Sequence, residues 1–180
     1  MILADRIRAC TSCPELAATR TTVVVGDTPP SAQLLVVGEA PGALEDEIGR
    51  PFVGRSGQLL DRLLGDVGLA RDRVAVLNTV KCRPPGNRVP TKVESTNCRH
   101  WMALQLEEVN PWLVVTLGLS AARWFLGTTT LTAVRGTVHE VGGRRVLPTY
   151  HPAAALRGGP GGQPMRLLRE DLATAAGLLP

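Results

Sequence analysis

The chain of 180 residues is 44% hydrophobic and 20% charged, which is the composition of a globular protein with a sizeable core and excludes a disordered one. No apolar run approaches the roughly 18 residues that would span a bilayer. The N-terminus lacks a basic segment followed by an apolar one, so no secretory signal is indicated. We therefore expect a cytoplasmic protein without membrane association. We also expect it to be a monomer. The formal net charge of +4 permits a nucleic-acid partner without requiring one.

Short apolar runs alternate with helical patterns along the chain. In order, we predict a strand over 33–37, a helix over 56–67, a strand over 73–79, a loop over 83–90, a helix from 91, a strand over 112–117, a helix over 119–126, two strands over 134–141 and 145–149, a mobile loop over 157–164 and a helix over 165–179. Thr91 and Glu94 form a capping box at the start of the longest helix. The alternation predicts one α/β domain in which a parallel sheet is covered by helices on both faces.

The carboxyl ends of the predicted strands indicate where a ligand would bind. In open parallel sheets, ligands lie in the crevice outside these ends. The rule selects the segments that begin at Gly38, at Asn78 and at Tyr150-His151. We expect these three segments to meet in one site.

The four cysteines raise the question of a metal or cluster site. Cys10 and Cys13 form a C-x-x-C, whereas Cys82 and Cys98 lie far along the chain. In a reducing compartment this pattern favours ligation over disulfides. The alternative is two free core thiols with a thioredoxin-like C-x-x-C, which is disfavoured because Pro14 follows and no strand precedes. Spacing does not distinguish zinc from an iron–sulfur cluster, since both accept four thiolates.

The turn after the first strand is built for close approach to a ligand. Gly38 and Gly42, with Pro41 between them, leave room for backbone amides to reach a planar group. A phosphate loop is the alternative, but neither G-x-G-x-x-G nor a G-K-[ST] ending is present. The acidic residues at 39 and 45–47 also argue against a phosphate here.

Three further side chains have both a structural and a functional interpretation. Phe52, one of two phenylalanines, is either a core plug or a stacking surface for a base. Asn78 is either a strand-end cap or a reader whose paired donor and acceptor match N3–H and O4 of uracil and mismatch cytosine. His151 follows a strand end, which favours a functional role over a structural one. His100 and His139 are expected to be structural or surface residues.

Four segments together resemble a known family. They read GEAPGALEDEIGRPFVG, NTVKCRPPGNRVPT, LGLSAARWFLG and TYHPAAALR, and together with the four cysteines they are spread over nearly the whole chain, from Cys10 to the start of the final helix. The chain resembles the family-four uracil-DNA glycosylases, the iron–sulfur branch of their superfamily. This resemblance implies a three-layer α/β/α sandwich with a four-stranded, mostly parallel sheet. It also implies excision of uracil from DNA by base flipping, and a structural 4Fe–4S cluster on Cys10, Cys13, Cys82 and Cys98.

The resemblance also implies how the site binds uracil. Phe52 would stack on the flipped base, and Asn78 would read its N3–H and O4. Backbone amides around Glu39 and Ala40 would bind the uracil carbonyls. Glu45 would lie at the C5 edge and exclude the thymine methyl.

Catalysis would rest on two residues. His151 would donate a hydrogen bond to O2 as negative charge develops there, a contact whose loss costs roughly 3–4 kcal/mol. Ala40 stands where related single-domain uracil glycosylases have an aspartate that positions water. We therefore expect Glu39 to activate the water, although a main-chain carbonyl or the charged products are alternatives.

DNA contacts are expected around the site. Leu156 and Arg157 would enter the duplex, while Arg83, Arg88 and the helix start at Ser56 would hold phosphates. One rival interpretation is a relative that becomes covalently linked to the abasic sugar, but its basic, histidine-containing insertion is absent from the short segment 81–91. A zinc-stapled nucleic-acid-binding module without catalysis is a second rival. A small-molecule hydrolase is disfavoured because no G-x-S-x-G elbow is present.

Overall fold

The computed structural model describes residues 2–180 and is organised around one sheet. Its strands are β1 (Leu34–Gly38), β2 (Val74–Asn78), β3 (Leu113–Leu117), β4 (His139–Val141) and β5 (Arg144–Thr149). The strand order is β2-β1-β3-β5-β4. The first four in this order run parallel, and β4 pairs antiparallel with β5 at the edge. The carboxyl ends of the four parallel strands therefore meet at one edge of the sheet.

Helices cover both faces of the sheet. They are α1 (Leu3–Arg8), α2 (Pro14–Thr19), α3 (Ala43–Ile48), α4 (Arg55–Asp66), α5 (Lys92–Val109), α6 (Leu119–Leu126), α7 (Pro152–Gly158) and α8 (Gln163–Gly177). Every residue of β1, β2 and β3 is buried, because both faces of these strands are covered. Alternate strand residues pack on α4, α7 and α8 on one face and on α5 and α6 on the other.

A third, smaller core lies outside the sheet. It joins α1 and α2 to the segment after β2 and to the first half of α5 through apolar side chains and cysteines. Ile7 and Leu16 are buried here against Val80 and Trp101. The sequence patterns did not predict α1, α2 or α3, since six-residue helices are too short to show a helical period.

The predicted fold class is confirmed: helices enclose a sheet with four parallel strands. The sheet has five strands, as the apolar runs predict and one more than the resemblance implies, and the edge strand β4 is shorter than the predicted strand over 134–141. Gly136 has a left-handed backbone (φ +72°), and the neighbouring Arg135 binds Asp171 at 2.7 Å. The Gly136 N–H donates to the Pro148 carbonyl of β5 (2.9 Å), so the segment contacts β5 before the regular pairing of His139–Val141 begins.

The glycine-rich segment over 157–164 is also more ordered than predicted. α7 continues to Gly158 and α8 begins at Gln163, so the connection has only four residues. A Cβ at Gly162 would lie 2.3 Å from the carbonyl oxygen of Gly158, so the turn requires glycine. Within residues 2–180 we find no helix with the length and apolar character that a membrane crossing needs.

Candidate active site

The carboxyl ends of the parallel strands frame a cavity of about 700 Å³, named here the base cavity. It is lined by residues that follow β1, β2, β3 and β5: Glu39, Ala40, Gly42, Glu45, Phe52, Ser56, Asn78, Asn87, Arg88, Gly118, Ser120, His151 and Arg157 among them. All six residues expected to bind the base lie in this lining. The three segments that the strand-end rule selected therefore meet at one cavity, as expected.

Gly38, the last residue of β1, sets the shape of the cavity floor. A Cβ at this position would lie 2.5 Å from the ring of Phe52 and 2.5 Å from Oδ1 of Asn78. Since real side chains do not approach this closely, only glycine allows both groups to lie side by side. A flat ring and a carboxamide therefore meet above the end of β1.

Phe52 is held by the loop around it. Its backbone is left-handed (φ +53°), and its side chain is 6% exposed, so one part packs in the core while another lines the cavity. Gly57 is required behind it, because a Cβ there would lie 1.8 Å from the Phe52 carbonyl oxygen. The Phe52 ring lies 5.7 Å from the His151 ring, centroid to centroid, at 31°.

Glu45 secures the loop that carries Phe52. Its Oε1 accepts hydrogen bonds from the backbone N–H groups of Val53 (2.9 Å) and Gly54 (2.8 Å). Charge-assisted bonds of this kind are stronger than neutral ones. Glu45 thus lines the cavity and also fixes the loop that carries Phe52, which the sequence did not indicate.

Asn78 has a buried polar atom without a partner. The residue is 2% exposed, and its Oδ1 makes no hydrogen bond to the described residues. The Asn78 carbonyl accepts a 2.7 Å hydrogen bond from Nζ of Lys81, which is itself buried. An unpaired buried acceptor costs about 1–3 kcal/mol, and because Asn78 lines the cavity, its Oδ1 is available to a ligand there.

His151 is a neutral hydrogen-bond donor in the cavity. Its Nδ1 accepts from the backbone N–H of Ala153 (3.1 Å) and so caps α7. Burial and the nearby Arg157 lower the pKa of His151 to about 4. At neutral pH the ring is therefore uncharged, and because Nδ1 accepts, the proton is on Nε2.

Glu39 is bound by a residue that the sequence did not single out. The hydroxyl of Ser120, at the start of α6, donates a short hydrogen bond to Oε2 of Glu39. The Glu39 carbonyl accepts from Thr79 Oγ1 and from the Val80 backbone N–H. Ser120 could have been found by applying the strand-end rule to β3 as well.

The residues expected to contact DNA divide into two groups. Ser56, Arg88 and Arg157 line the base cavity, whereas Arg83 and Leu156 do not. Leu156 is half-buried against the core, and Arg83 binds Oδ1 of Asn87 at 2.7 Å.

Arg88 is strongly engaged within the protein. It makes two hydrogen bonds to Glu94 (2.7 and 2.9 Å) and a third to Glu15 (3.1 Å). The hydrogen bond from Arg88 lowers the pKa of Glu94 to about 2. The Arg88 side chain therefore braces the loop over 83–90, and its charge is largely neutralised.

All four cysteines surround a second, small cavity, named here the cysteine cavity. Cys10, Cys13, Cys82 and Cys98 line it together with apolar side chains of the third core, and none of them is in a disulfide. Within residues 2–180 no group of three or more Cys, His, Asp or Glu converges on a single ion.

Nitrogen donors face the sulfur atoms in the cysteine cavity. Cys82 Sγ accepts from Arg20 Nη1 (3.1 Å), Cys98 Sγ from the Lys81 backbone N–H (3.3 Å) and Cys13 Sγ from Asn97 Nδ2 (3.6 Å). Such donors stabilise thiolates and tune iron–sulfur clusters. Four thiols with N–H donors in an apolar setting fit an iron–sulfur cluster.

Fold and site together define a class of protein: an α/β sandwich whose strand ends hold an aromatic ring, a carboxamide and a neutral histidine around one cavity. Residues 25–173 match the family model described as "Uracil DNA glycosylase superfamily". The chain belongs to that superfamily.

Individual proteins of this superfamily show which of its types the chain is most similar to among those compared. The chain is 45% identical over 159 residues to a type-4 uracil-DNA glycosylase of Thermotoga maritima, covering 87% of this chain and 82% of that protein. It is 42% identical to a type-4 uracil-DNA glycosylase of Archaeoglobus fulgidus, covering 83% of this chain and 79% of that protein. A type-5 uracil-DNA glycosylase of Pyrobaculum aerophilum is 36% identical, covering 83% of this chain and 80% of that protein. The family resemblance seen in the sequence motifs is thereby confirmed.

Proposed function

We propose that this protein hydrolyses the N-glycosidic bond of uracil in DNA and leaves an abasic site for repair. The single observation that carries this proposal is the buried, unpartnered Oδ1 of Asn78 at the cavity floor. Oδ1 offers an acceptor for N3–H of uracil, and the adjacent amide nitrogen offers a donor for O4. Cytosine presents the reverse pattern, and a buried site of this type rejects a mismatched partner by 10⁴-fold or more.

Base flipping follows from the depth of this carboxamide. Asn78 is 2% exposed at the end of a buried strand, where a base still stacked in a duplex would not reach. The uracil nucleotide is therefore rotated out of the stack, at a cost of a few kcal/mol. Stacking on the Phe52 ring, which lies beside Asn78, contributes about 1–3 kcal/mol toward that cost.

His151 stabilises the departing base. Glycosidic cleavage leaves negative charge on uracil, and a neutral Nε2–H donor directed at O2 shares that charge without first losing a proton. Preorganised donors of this kind contribute about 3–4 kcal/mol each. The hydrogen bond from the Ala153 N–H to Nδ1 of His151 fixes both the tautomer and the orientation of the imidazole ring.

Glu39 positions the attacking water, and Ser120 positions Glu39. The carboxylate extends from the end of β1 into the base cavity, and its second oxygen is free to accept from water while Oε2 is bound by Ser120. An oxocarbenium-like transition state needs only weak activation of the attacking water. The Glu39 carboxylate is therefore enough for this activation, without the aspartate that Ala40 replaces. Backbone amides at Glu39 and Ala40 bind the uracil carbonyls.

Glu45 selects against thymine. Because two backbone N–H groups hold its carboxylate, the side chain cannot turn away to admit a methyl group at C5. Selection against thymine by Glu45 and stacking on Phe52 are therefore coupled, since the Glu45 carboxylate also anchors the loop of Phe52.

Cys10, Cys13, Cys82 and Cys98 would hold a 4Fe–4S cluster. When bound, this group supplies a structural cross-link between the N-terminal helices, the segment after β2 and α5. It contributes no step of the hydrolysis. Lys81 joins the two sites, because its backbone N–H faces Cys98 Sγ while its Nζ holds the Asn78 carbonyl.

DNA would lie across the mouth of the base cavity. The α4 start at Ser56 would contact a phosphate, and the exposed Arg157 lies in the same cavity lining, where it would contact a phosphate or enter the duplex. Leu156, Arg83 and Arg88, which were expected to contact DNA directly, instead contact the protein and would support the surrounding turns. The protein would act as a monomer and as a single domain. The segment over 81–91 is a short loop with a single 3-10 turn (Pro85–Asn87), which supports turnover over permanent linkage to the abasic sugar.

An excision assay with a visible absorption spectrum tests this proposal. The protein is incubated with otherwise identical oligonucleotides that carry uracil, thymine or hypoxanthine, and alkali then reveals abasic sites. We expect strand cleavage with uracil, none with thymine, and the brown absorption of a cluster. Intact uracil-DNA would contradict glycosylase activity, a gel-stable protein–DNA adduct would indicate the covalent alternative, and a colourless zinc protein would contradict the cluster.

A further inference from the structure

A second groove opens from the base cavity and runs between α5 and α6. It has a volume of about 360 Å³ and shares Glu39, Val89 and Ser120 with the base cavity. Its remaining lining residues include three cations and one aromatic residue: Lys92, Arg99, Arg123 and Trp124. We name it the flanking groove. It leads away from the pocket on the face of the sheet opposite to α4 and α7.

The cations of the flanking groove have no acidic partners. Among residues 2–180, none of Lys92, Arg99 and Arg123 has a carboxylate within 4.0 Å. The only acidic residue in the groove lining is Glu39, whose carboxylate is bound by Ser120. Arg88, at the rim of the base cavity, is by contrast paired with two glutamates. The groove therefore keeps its positive charge.

The two guanidinium groups are held in place by neutral contacts. Arg99 lies over the Trp124 ring, 4.4 Å from its centroid, and donates to the Trp124 carbonyl at 3.3 Å. Arg123 donates from Nε to the carbonyl of Thr128 at 3.2 Å, which leaves its four terminal N–H bonds available. Carbonyls and an aromatic face fix a guanidinium without cancelling its charge. This arrangement prepares both arginines for an anion.

We propose that the flanking groove binds the phosphodiester backbone of the uracil-containing strand, next to the flipped nucleotide. The inference rests on the proposed function, because it takes the occupant of the base cavity to be a base of DNA. Continuity with that cavity and unneutralised positive charge support DNA as the occupant. Since Ser56 and Arg157 lie at the opposite rim, the strand would cross the sheet edge from one helix layer to the other.

The salt dependence of DNA binding tests the inference. The groove variant is Arg99→Ala with Arg123→Ala, and the matched control is Arg62→Ala with Arg169→Ala, which removes the same charge from exposed positions on α4 and α8. Binding is measured to DNA with a stable abasic-site analogue, so that no cleavage is required. Each lost phosphate contact reduces the slope of log K against log salt by about 0.7–0.9.

We expect the slope to fall by about 1.4–1.8 in the groove variant and to stay unchanged in the control. The affinity advantage of the wild type over the groove variant should therefore shrink roughly tenfold between 50 and 200 mM salt. Single-turnover excision at saturating DNA should equal that of the wild type. Equal slopes in groove variant and control would overturn the inference, as would a slower saturated excision with an unchanged slope. Failure of the proposed function would show separately, as wild-type protein that binds DNA but leaves uracil in place.

Discussion

The base cavity and the cysteine cavity lie at opposite ends of one short segment, residues 78–82. They differ in whether their polar atoms have hydrogen-bond partners within the protein. In the base cavity, Oδ1 of Asn78 is unpartnered, and Nε2 of His151 has no acceptor among residues 2–180. In the cysteine cavity, donors from Arg20, Lys81 and Asn97 face three of the sulfur atoms.

This difference teaches how to separate a site that reads a changing ligand from one that holds a permanent group. A recognition site contains polar atoms without partners in the free protein. The cost in free energy is offset when the ligand forms hydrogen bonds with them. A structural site surrounds the atoms that hold its group with donors from the protein, as three of the sulfur atoms are here, although Trp101 Nε1 in the same lining has no partner among residues 2–180. If this distinction is right, substitutions in the base cavity alter chemistry while leaving the fold intact, and substitutions in the cysteine cavity do the reverse.

Asn78→Asp should give the largest effect on activity. An ionised carboxylate has no donor for O4 of uracil, so the pairing is lost in a buried site. We expect uracil excision to fall on the order of 10⁴-fold. Asn110→Asp, a matched change at the carboxyl end of α5, should leave excision unchanged. Undiminished uracil excision by Asn78→Asp would refute the proposed pairing.

His151→Asn should lower excision by about 10²–10³-fold without unfolding the protein. Asparagine is a good N-cap and can accept the Ala153 N–H as Nδ1 does, but it has no group in the place of Nε2–H. Thermal melting at pH 7 provides the control for folding. A variant that melts normally and excises at the wild-type rate would show that Nε2 does not contact the base.

The pH dependence of stability, compared between the wild type and His151→Asn, gives a separate prediction. The unfolded chain protonates His151 near its ordinary pKa of 6.5, whereas the folded protein does so only near 4. Its contribution to stability is therefore present above pH 6.5 and is lost as the pH falls toward 4. The wild type should lose about 2–3 kcal/mol more than His151→Asn over this interval in chemical unfolding. Parallel curves would contradict a buried, neutral His151.

Glu45→Gly should reduce uracil excision about 10²-fold, because the loop of Phe52 loses both of its carboxylate hydrogen bonds and the ring is displaced. The same change opens space at C5, so the ratio of thymine to uracil excision should rise. Glu45→Gln keeps an acceptor oxygen and should stay close to the wild type. Complete exclusion of thymine and 5-substituted uracils by Glu45→Gly would show that Glu45 is not the gate.

Ser120→Ala should lower the saturated excision rate about tenfold with little change in KM, because Glu39 loses the hydroxyl that orients it. Ser120→Thr restores a hydroxyl and should recover most of the rate. A change in KM alone, or no recovery with threonine, would place Ser120 outside the positioning of Glu39.

Asn97→Leu should give the smallest effect on chemistry and a clear effect on the cysteine cavity. The variant removes the amide that faces Cys13 Sγ and the Ser12 carbonyl. We expect visible absorption to be lost about tenfold faster in the presence of a chelator, with Gln58→Leu on α4 as the matched control. Freshly purified protein should excise uracil normally. Equal lifetimes would show that the amide does not support the cluster.

The sequence predicted the parallel core and the edge of the sheet at which the candidate site lies, because short apolar runs that end at Gly38, Asn78 and Tyr150-His151 carry that information locally. It did not reveal the Ser120–Glu39 contact or the Glu45 bonds to the Phe52 loop. These depend on the path of the chain between strands, which no periodicity encodes. The pairing of Arg88 with Glu94 and Glu15 was missed for the same reason. Short helices such as α1 and α2 escaped because tertiary packing, rather than a repeat, stabilises them.

The most direct test of the central claim is a crystal structure with DNA that contains a uracil nucleotide whose glycosidic bond resists hydrolysis. Our account predicts that uracil lies flipped on the Phe52 ring, with its N3–H directed at Asn78 Oδ1 and its O2 directed at His151 Nε2. A base left in the duplex, or one bound with Asn78 Oδ1 still unpaired, would contradict it.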